Sequence, residues 1–452
     1  VGITGYSNHV NRIEQIASAF RERNIPVVCG GPGVTIDPAR WRPFSDVVII
    51  GEAERIWPQF LNDFLRGDYQ GEYRDDEKFD LNVTPCADYS AISPQAMGQY
   101  QAAVLQTSRG CPFNCEFCDA IIYTGRKTRY RPVEVILQEF DLLYSRGIRY
   151  IFLGDDNFSA HRKKAKRILQ AIGDWNRAQK RPMILATALT IDTAKDDEFL
   201  RLAARAGLTR VFVGLESVNR ESLKESNKKI NLRNDPYEAV KKFQQYGIVV
   251  LGGCMVGFDH DDLTIFEQQH AFFSELAIAN VFVIPVHAAD ATPLKARMIK
   301  EGRYIDYQKK SHDRPIDIFN TFTIIPKQMT VEQLQQGAFW LGWKLYQPAE
   351  FLGRMERFFN VFETSPYKKD GMEIPNGIDA NGLKMVAKIA LYASLRAPAW
   401  ERSLFWKSLR LARHSSHPQR WEIAVSGFLF LVNARRILLA ANPQITQIQY
   451  PS

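Results

Sequence analysis

Three times in the middle of this chain a helical stretch ends on a glycine and passes at once into an aliphatic run: SRG before IRYIFLG, RAG before LTRVFVG, and QYG before IVVLGG. Gly147, Gly207 and Gly247 stand where a left-handed residue closes a helix, a conformation glycine adopts without a Cβ clash. A repeated helix-to-strand unit predicts a parallel sheet, because parallel neighbours must be joined by a crossover and a helix is the usual one. Six strand-like runs, AAVLQTS, RYIFLG, MILATAL, RVFVGLE, IVVLGGCMVG and VFVIPV, fall between Gln101 and Leu294. That many repeats predict a closed or nearly closed barrel.

The flanks read differently. From Val1 to about Gly67 short apolar runs (VGITG, IPVVCGGPG, DVVIIGEAE) alternate with helical spacing at Ile13, Ile16, Ala17 and Phe20, the pattern of an open α/β sheet. Residues 68–100 are polar and carry GEYRDDEKFD without sustained periodicity, as expected of a linker. Beyond Lys295 alternation gives way to helical patterns, with Thr330 and Gln333 spaced as a capping box. The expected organisation is therefore an α/β chain with an open-sheet domain at 1–67, a linker at 68–100, a barrel at 101–295 and a mainly α-helical domain at 296–452. The sequence opens in what reads as mid-strand, with no basic leader, so the expectation is a chain truncated upstream and not one opening on a signal peptide.

Among 452 residues 45% are hydrophobic and 24% charged, a globular balance that excludes disordered and collagen-like classes. The net charge of +8 favours anionic ligands or a membrane surface without the basicity of a dedicated nucleic-acid binder. No continuous apolar run reaches the ~18 residues of a membrane span. The longest, Ile423 to Val432, is bounded by Glu422 and by Asn433, Arg435 and Arg436, and reads as a buried helix. The segment from Trp406 to Trp421, with Lys407, Arg410, Arg413 and Arg420, reads as a solvated basic face.

Six cysteines are too few for a disulfide scaffold, and three of them, Cys111, Cys115 and Cys118, crowd into SRGCPFNCEFC directly after the first barrel strand. Three thiolates in one loop point to metal in a reducing, cytoplasmic setting. A structural zinc normally takes a fourth Cys or His at matching spacing, and the next histidine downstream is His161. An iron–sulfur cluster with one open iron explains three ligands. Cys254 lies in a run of small and apolar residues and reads as an inert core thiol.

A Cys-x3-Cys-x2-Cys loop after the first strand of an αβ barrel resembles the radical S-adenosylmethionine (SAM) enzymes, and the likeness extends over residues 101 to 294. It implies a (β/α)6 partial TIM barrel in which Cys111, Cys115 and Cys118 hold a [4Fe-4S] cluster. The fourth iron chelates SAM, and an electron from the cluster cleaves it to methionine and a 5′-deoxyadenosyl radical. Phe117 matches an aromatic placed against the adenine. GDDN, at the end of the second strand, stands where the family binds the SAM ammonium, leaving Asp155 and Asp156 both open for that role. The same acids also suit a cap for the helix that follows. Glu216 and Ser217 of GLES are similar to a pair reaching the ribose or carboxylate of SAM, and Gly253 and Gly257 to a segment approaching adenine. At the sixth strand Thr292, Pro293 and Leu294 fit the family's turn, with Ala291 where relatives have glycine. His287, nearby, is a candidate substrate contact or proton donor.

The N-terminal segments then resemble the latter part of a cobalamin-binding, Rossmann-like domain, in which Thr4 and Ser7 form the small polar loop and Gly30 and Gly31 the pair beside the nucleotide tail. The C-terminal region, with FNTFTIIPKQMT, resembles the helical extension of a cobalamin-dependent branch that includes hopanoid methylases. These likenesses imply an enzyme carrying a [4Fe-4S] cluster, SAM and cobalamin, which methylates an unactivated carbon of a small, lipid-like substrate. They also imply an electron donor such as flavodoxin or ferredoxin, and allow peripheral membrane contact. Two alternatives stand beside this reading: a cobalamin-binding radical SAM enzyme that cyclises, rearranges or oxidises without methyl transfer, and a non-catalytic zinc-binding interaction protein. A methylthiotransferase would need a second cysteine trio and an RNA-binding tail.

Overall fold

The computed structural model describes residues 1–97, 99–100, 102–306, 321–370, 373–376 and 380–451. Gln101, where the barrel is expected to begin, lies outside the described residues, as do Phe319 and Asn320 of the FNTFTIIPKQMT motif. The chain forms two compact units, neither continuous in sequence. Val1–Leu81, Gly110–Arg129 and Val286–Ile325 make the first, and Asn82–Arg109, Tyr130–Pro285 and Pro326–Ser452 the second. The boundaries at 67, 100 and 295 follow changes in composition, whereas these units cut across them: the cysteine loop and the segment after the last barrel strand belong with the N-terminal sheet.

The first unit is built on a parallel sheet, β1 (Gly2–Thr4), β2 (Val28–Gly30), β3 (Val47–Gly51) and β4 (Glu72–Asp75), in sequential order. Alternation along the strands separates two cores. Cys29, Val48 and Ile50 pack with Val10, Ile13, Ala17 and Trp41 on one face, while Val28, Val47 and Ile49 pack with Ile56, Phe60 and Tyr73 on the other. β4 corrects the expectation of a structureless linker: GEYRDDEKFD contains a strand whose one inward apolar residue is Tyr73. It is the last strand of the order, and charge is how an edge strand is kept from further pairing.

The second unit carries the six-stranded parallel sheet: β5 (Ala102–Leu105), β6 (Tyr150–Leu153), β7 (Ile184–Leu189), β8 (Leu208–Glu216), β9 (Val249–Val256) and β10 (Asn280–Pro285), again in sequential order. Gly147, Gly207 and Gly247 have φ of 89°, 83° and 73°, so each of the three caps adopts the left-handed conformation its place in the sequence predicts. The capping box also forms: Thr330 Oγ1 accepts from Gln333 N at 3.1 Å and Gln333 Oε1 from Thr330 N at 2.9 Å, opening the helix Val331–Leu345.

C-terminal helices meet the sheet at the N-terminal ends of its strands. Tyr150 donates to Glu422 at 2.6 Å, Thr209 to Gln419 at 2.7 Å, and the rings of Phe282 and Phe430 lie 5.3 Å apart. Lys407, Arg410 and Arg413 of the basic face expected between Trp406 and Trp421 are exposed, and it is the turn between the two helices that docks. His417 and Gln419 are fully buried, and the His417 Nε2 lies 2.9 Å from the carbonyl oxygen of Gly247. The helix Arg420–Ala441 is also longer than the apolar run suggested. By length and mean hydropathy (1.7 over 18 residues) it qualifies to cross a membrane, a test that core helices of soluble proteins also pass, and 44% of that window is buried.

Burial holds the His417 imidazole down at about 4, with Arg210 and Arg420 acting in the same direction and Glu363 and the bond at Gly247 opposing. The unfolded chain therefore binds a proton that the folded chain refuses between pH 6.5 and about 4. Stability from this residue is full above pH 6.5 and is lost as pH falls, by roughly 3 kcal/mol. Asp155 and Asp261, whose carboxyls burial raises to about 6, act in the opposite sense. Thermal melts across this range are expected to show a smaller acid-induced loss in His417→Gln than in the wild type.

Candidate active site

In the first unit the cysteine loop is fixed from its glycine outward. Gly110 has φ of 100°, and a Cβ there would sit 2.7 Å from the Lys127 carbonyl oxygen, so only glycine fits. Cys111 N donates to Gly125 O and Cys118 N to Cys115 O, both at 3.2 Å. Cys115 is buried and the other two are half-buried. Among the described residues no group of three His, Cys, Asp or Glu gathers as a single metal-ion site. The donor set, three thiols within eight residues of one backbone-tied loop, fits a cluster that takes one cysteine per iron.

Two carboxylate–guanidinium pairs clamp this loop, and neither stands out in the sequence. Glu52, on the turn after β3, meets Arg129 through two bonds of 2.7 Å, with side chains only 8% and 13% exposed. The same carboxylate accepts Phe79 N at 2.6 Å, and Arg129 also reaches the carbonyls of Phe79 and Thr124. Glu116, between the second and third cysteines, pairs with Arg297 at 2.6 and 2.9 Å, while its carbonyl accepts Leu294 N. The only sequence signal for them was the GEAE turn and a charged residue inside the cysteine motif.

A pocket of about 340 Å³ in this unit is bordered by Tyr6, Ser7 and Asn8 after β1, by Asp119 next to Cys118, and by His287 to Asp290. Thr4 ends β1, and a Cβ on Gly31 (φ 91°) would fall 2.2 Å from its Oγ1, so Thr4, Gly30 and Gly31 stand together at the C-terminal ends of β1 and β2. His287 lies against Thr323, with Nδ1 3.3 Å from Oγ1, and burial pushes its pKa below the usual histidine value, which keeps it neutral. Asp290 pairs with Lys295 at 2.5 Å. Thr292 caps the helix Pro293–Lys300, and Ala291 holds φ of 58°, which accounts for the glycine expected there. Ala291→Gly is expected to raise stability by about 1 kcal/mol, read as a higher Tm. Phe117 is half-buried in the cysteine loop.

The remaining predicted residues lie in the second unit at the C-terminal strand ends. Asp155 is fully enclosed: one oxygen accepts Thr107 N at 2.6 Å and Ser108 N at 3.0 Å, and the other accepts the hydroxyls of Thr107 and Ser108. It latches the end of β5, whereas Asp156 is half-buried. Neither caps the next helix, whose N-cap position is His161. Asp155→Asn is expected to lower the Tm by several degrees, because an amide cannot accept four donors.

Glu216 adopts φ of 63° and folds its carboxylate back over Gly214, where a Cβ would sit 2.2 Å from Oε1. Lys228 donates to it at 2.8 Å. Ser217 Oγ accepts Asn219 N in a local turn. Gly253 admits the ring of Phe212, and Gly257 (φ 98°) admits Leu334. Cys254 is buried, and burial raises its thiol pKa, as expected of an inert core cysteine.

The chain matches the Radical SAM superfamily over residues 105–267 and a domain of unknown function (DUF4070) over 292–440. It is 31% identical over 362 residues to an uncharacterized methyltransferase of Synechocystis sp., covering 80% of this chain and 66% of that one. It is 28% identical over 310 residues to the hopanoid C-2 methylase of Rhodopseudomonas palustris, covering 68% and 58%. The chain thus spans about two thirds or less of the length of these two relatives. Among solved structures, the radical SAM methyltransferase TsrM of Kitasatospora setae, with cobalamin and a [4Fe-4S] cluster bound, aligns over 99% of this chain and 89% of its own at TM-score 0.60 and 15% identity. The cobalamin-dependent radical enzyme OxsB aligns over 99% and 72% at TM-score 0.57 and 14% identity. The chain belongs to the radical SAM superfamily and has the fold of its cobalamin-dependent members.

Proposed function

We propose that this protein is a cobalamin-dependent radical SAM C-methyltransferase acting on an unactivated carbon of a small molecule, with a hydrophobic or lipid-like substrate as the finer reading. The observation that carries it is the pocket at Tyr6–Asn8, Asp119 and His287–Asp290: the loop of the N-terminal sheet, the residue after the third cysteine and the neutral histidine border one space. When bound, the cluster and SAM supply a carbon-centred radical and cobalamin supplies the methyl group.

The chain's own residues do the rest. Cys111, Cys115 and Cys118 hold the cluster, and the Glu52–Arg129 and Glu116–Arg297 pairs fix their loop. Asp156 holds the SAM ammonium, since Asp155 has spent its acceptor capacity inside the protein. Glu216 and Ser217 face the SAM ribose or carboxylate, Phe117 stacks on adenine, and Gly253 and Gly257 keep the adjoining strand end slim. Thr4, Ser7, Gly30 and Gly31 border the cobalamin tail, and His287, neutral at pH 7, contacts the substrate. A flavodoxin or ferredoxin supplies electrons, and peripheral membrane contact suits an apolar substrate.

The test is anaerobic reconstitution of the full chain with iron, sulfide, cobalamin, SAM and a strong reductant, with products followed by mass spectrometry. Formation of both 5′-deoxyadenosine and S-adenosylhomocysteine is the expected result. Deoxyadenosine alone would replace methyl transfer with cyclisation, rearrangement or oxidation, and neither product from a cluster-loaded sample would overturn the reading. In the same assay Asp156→Asn is expected to raise the KM for SAM at least about tenfold, the cost of a lost charge-assisted bond.

A further inference from the structure

At the N-terminal ends of the barrel strands, opposite the end that carries Asp156 and Glu216, the second unit leaves a cleft of about 300 Å³ between the sheet and the helices Ala380–Leu395 and Arg420–Ala441. Pairing register puts Ala102, Tyr150 and Ile184 in one row across the sheet, and Phe152, Ala186 and Arg210 in the next. Large apolar side chains remain uncovered there, Phe152 being 43% exposed and Leu429 37%. Surface of that kind inside a concavity, with few polar groups around it, is the usual make-up of a small-molecule site.

The polar groups of the cleft are specific. Arg210 gives Nη2 to Ser426 Oγ at 3.2 Å, while its Nη1 is sealed from solvent without an acceptor. Burial lowers the Arg210 pKa, and Glu422, which accepts the Tyr150 hydroxyl, offsets that shift. Opposite charges of one guanidinium and one carboxylate therefore cancel in the cleft wall. A ligand with a charged head would add a charge that nothing there balances. An uncharged hydroxyl adds no charge, and Ser426 Oγ, exposed and accepting only the Arg210 bond while it donates to the Ile423 carbonyl, has acceptor capacity left for it. At about 30 Å³ per water-sized unit the space takes roughly ten non-hydrogen atoms.

We propose that this cleft binds an uncharged, largely hydrocarbon molecule with a single hydroxyl, of the long-chain alcohol class, seated with its hydroxyl donating to Ser426 Oγ and its chain along Phe152, Ala186 and Leu429. The site is separate from the radical chemistry and needs no SAM for occupancy. Its test uses the full, cluster-loaded chain and the uncharged dye Nile red, displaced in turn by 1-decanol, decanoate and decyltrimethylammonium. Expected are saturable dye binding, displacement by decanol at a concentration at least about tenfold below either charged amphiphile, and an equally large loss of both in Ala186→Phe and Ala102→Phe, which fill the cleft from two strands. Iron content and Tm of each variant show that it has folded. Dye and decanol binding unchanged in both folded variants would overturn the assignment. So would decanoate competing as well as decanol, which would make this an anion site, or no saturable binding at all.

Discussion

Replacing Cys115 by alanine is expected to abolish reductive SAM cleavage while leaving the fold intact. The loop does not depend on metal for its path. Gly110 sets its entry, Cys111 N and Cys118 N are held by backbone carbonyls, and Glu116–Arg297 and Glu52–Arg129 hold it at two points. In the proposed assignment the missing thiol would leave one iron without a protein ligand, and two cysteines would not hold a complete cluster with an iron open to SAM. Anaerobic assays of the variant should show 5′-deoxyadenosine formation at least about a thousandfold below wild type, because these ligands act as one unit and not additively. The cluster's visible absorbance and iron content should fall with it, whereas the Tm of the iron-free protein should shift by only a degree or two. Deoxyadenosine production near the wild-type rate would show that the cluster sits elsewhere.

The second large effect is expected at Glu52, a residue with no part in the chemistry. Its carboxylate and the Arg129 guanidinium are nearly buried and joined by two short bonds, and both also bind backbone groups. Glu52→Gln leaves Arg129 with an uncompensated charge away from water, at a cost of roughly 3–5 kcal/mol. Since Arg129 closes the chain segment that begins at Gly110, the loss should appear as poor cluster loading as well as a lower Tm. In the double variant Glu52→Gln with Arg129→Met no charge is left unpaired, so much of the Tm should return while iron content stays low. That split separates a positioning role from a merely structural one. Glu116→Gln should cost less, because that pair is more exposed to water.

How much of this was legible beforehand depends on whether the signal was local. Gly147, Gly207 and Gly247 could be read because a left-handed helix end is a property of a few adjacent residues, and all three have positive φ. The capping box at Thr330 and Gln333 was legible for the same reason, as was the cysteine trio, whose ligands share one loop. β4 was missed because an edge strand buries one side chain, Tyr73, too few for a period to show. The burial of the turn at His417 was not legible because its hydrophilic sequence is that of a surface loop. What buries it is a partner, Gly247, that lies 170 residues away in the chain.

Composition, helix-to-strand punctuation and the cysteine spacing by themselves determined a parallel αβ barrel with a three-thiol loop, flanked by an open sheet and a helical region. Those are statements about neighbours in the chain, where the backbone and side-chain preferences of a few residues decide the outcome. Tertiary structure alone decided that Asp155 is enclosed while Asp156 is left half-buried, and that Glu52 and Glu116 clamp the cysteine loop. It also decided that the opposite charges of Arg210 and Glu422 share one apolar cleft. Each of these depends on which distant donor or charge a side chain meets after folding. A carboxylate reads the same in the sequence whether it ends against water, an arginine or four hydrogen-bond donors, and only the folded environment distinguishes them.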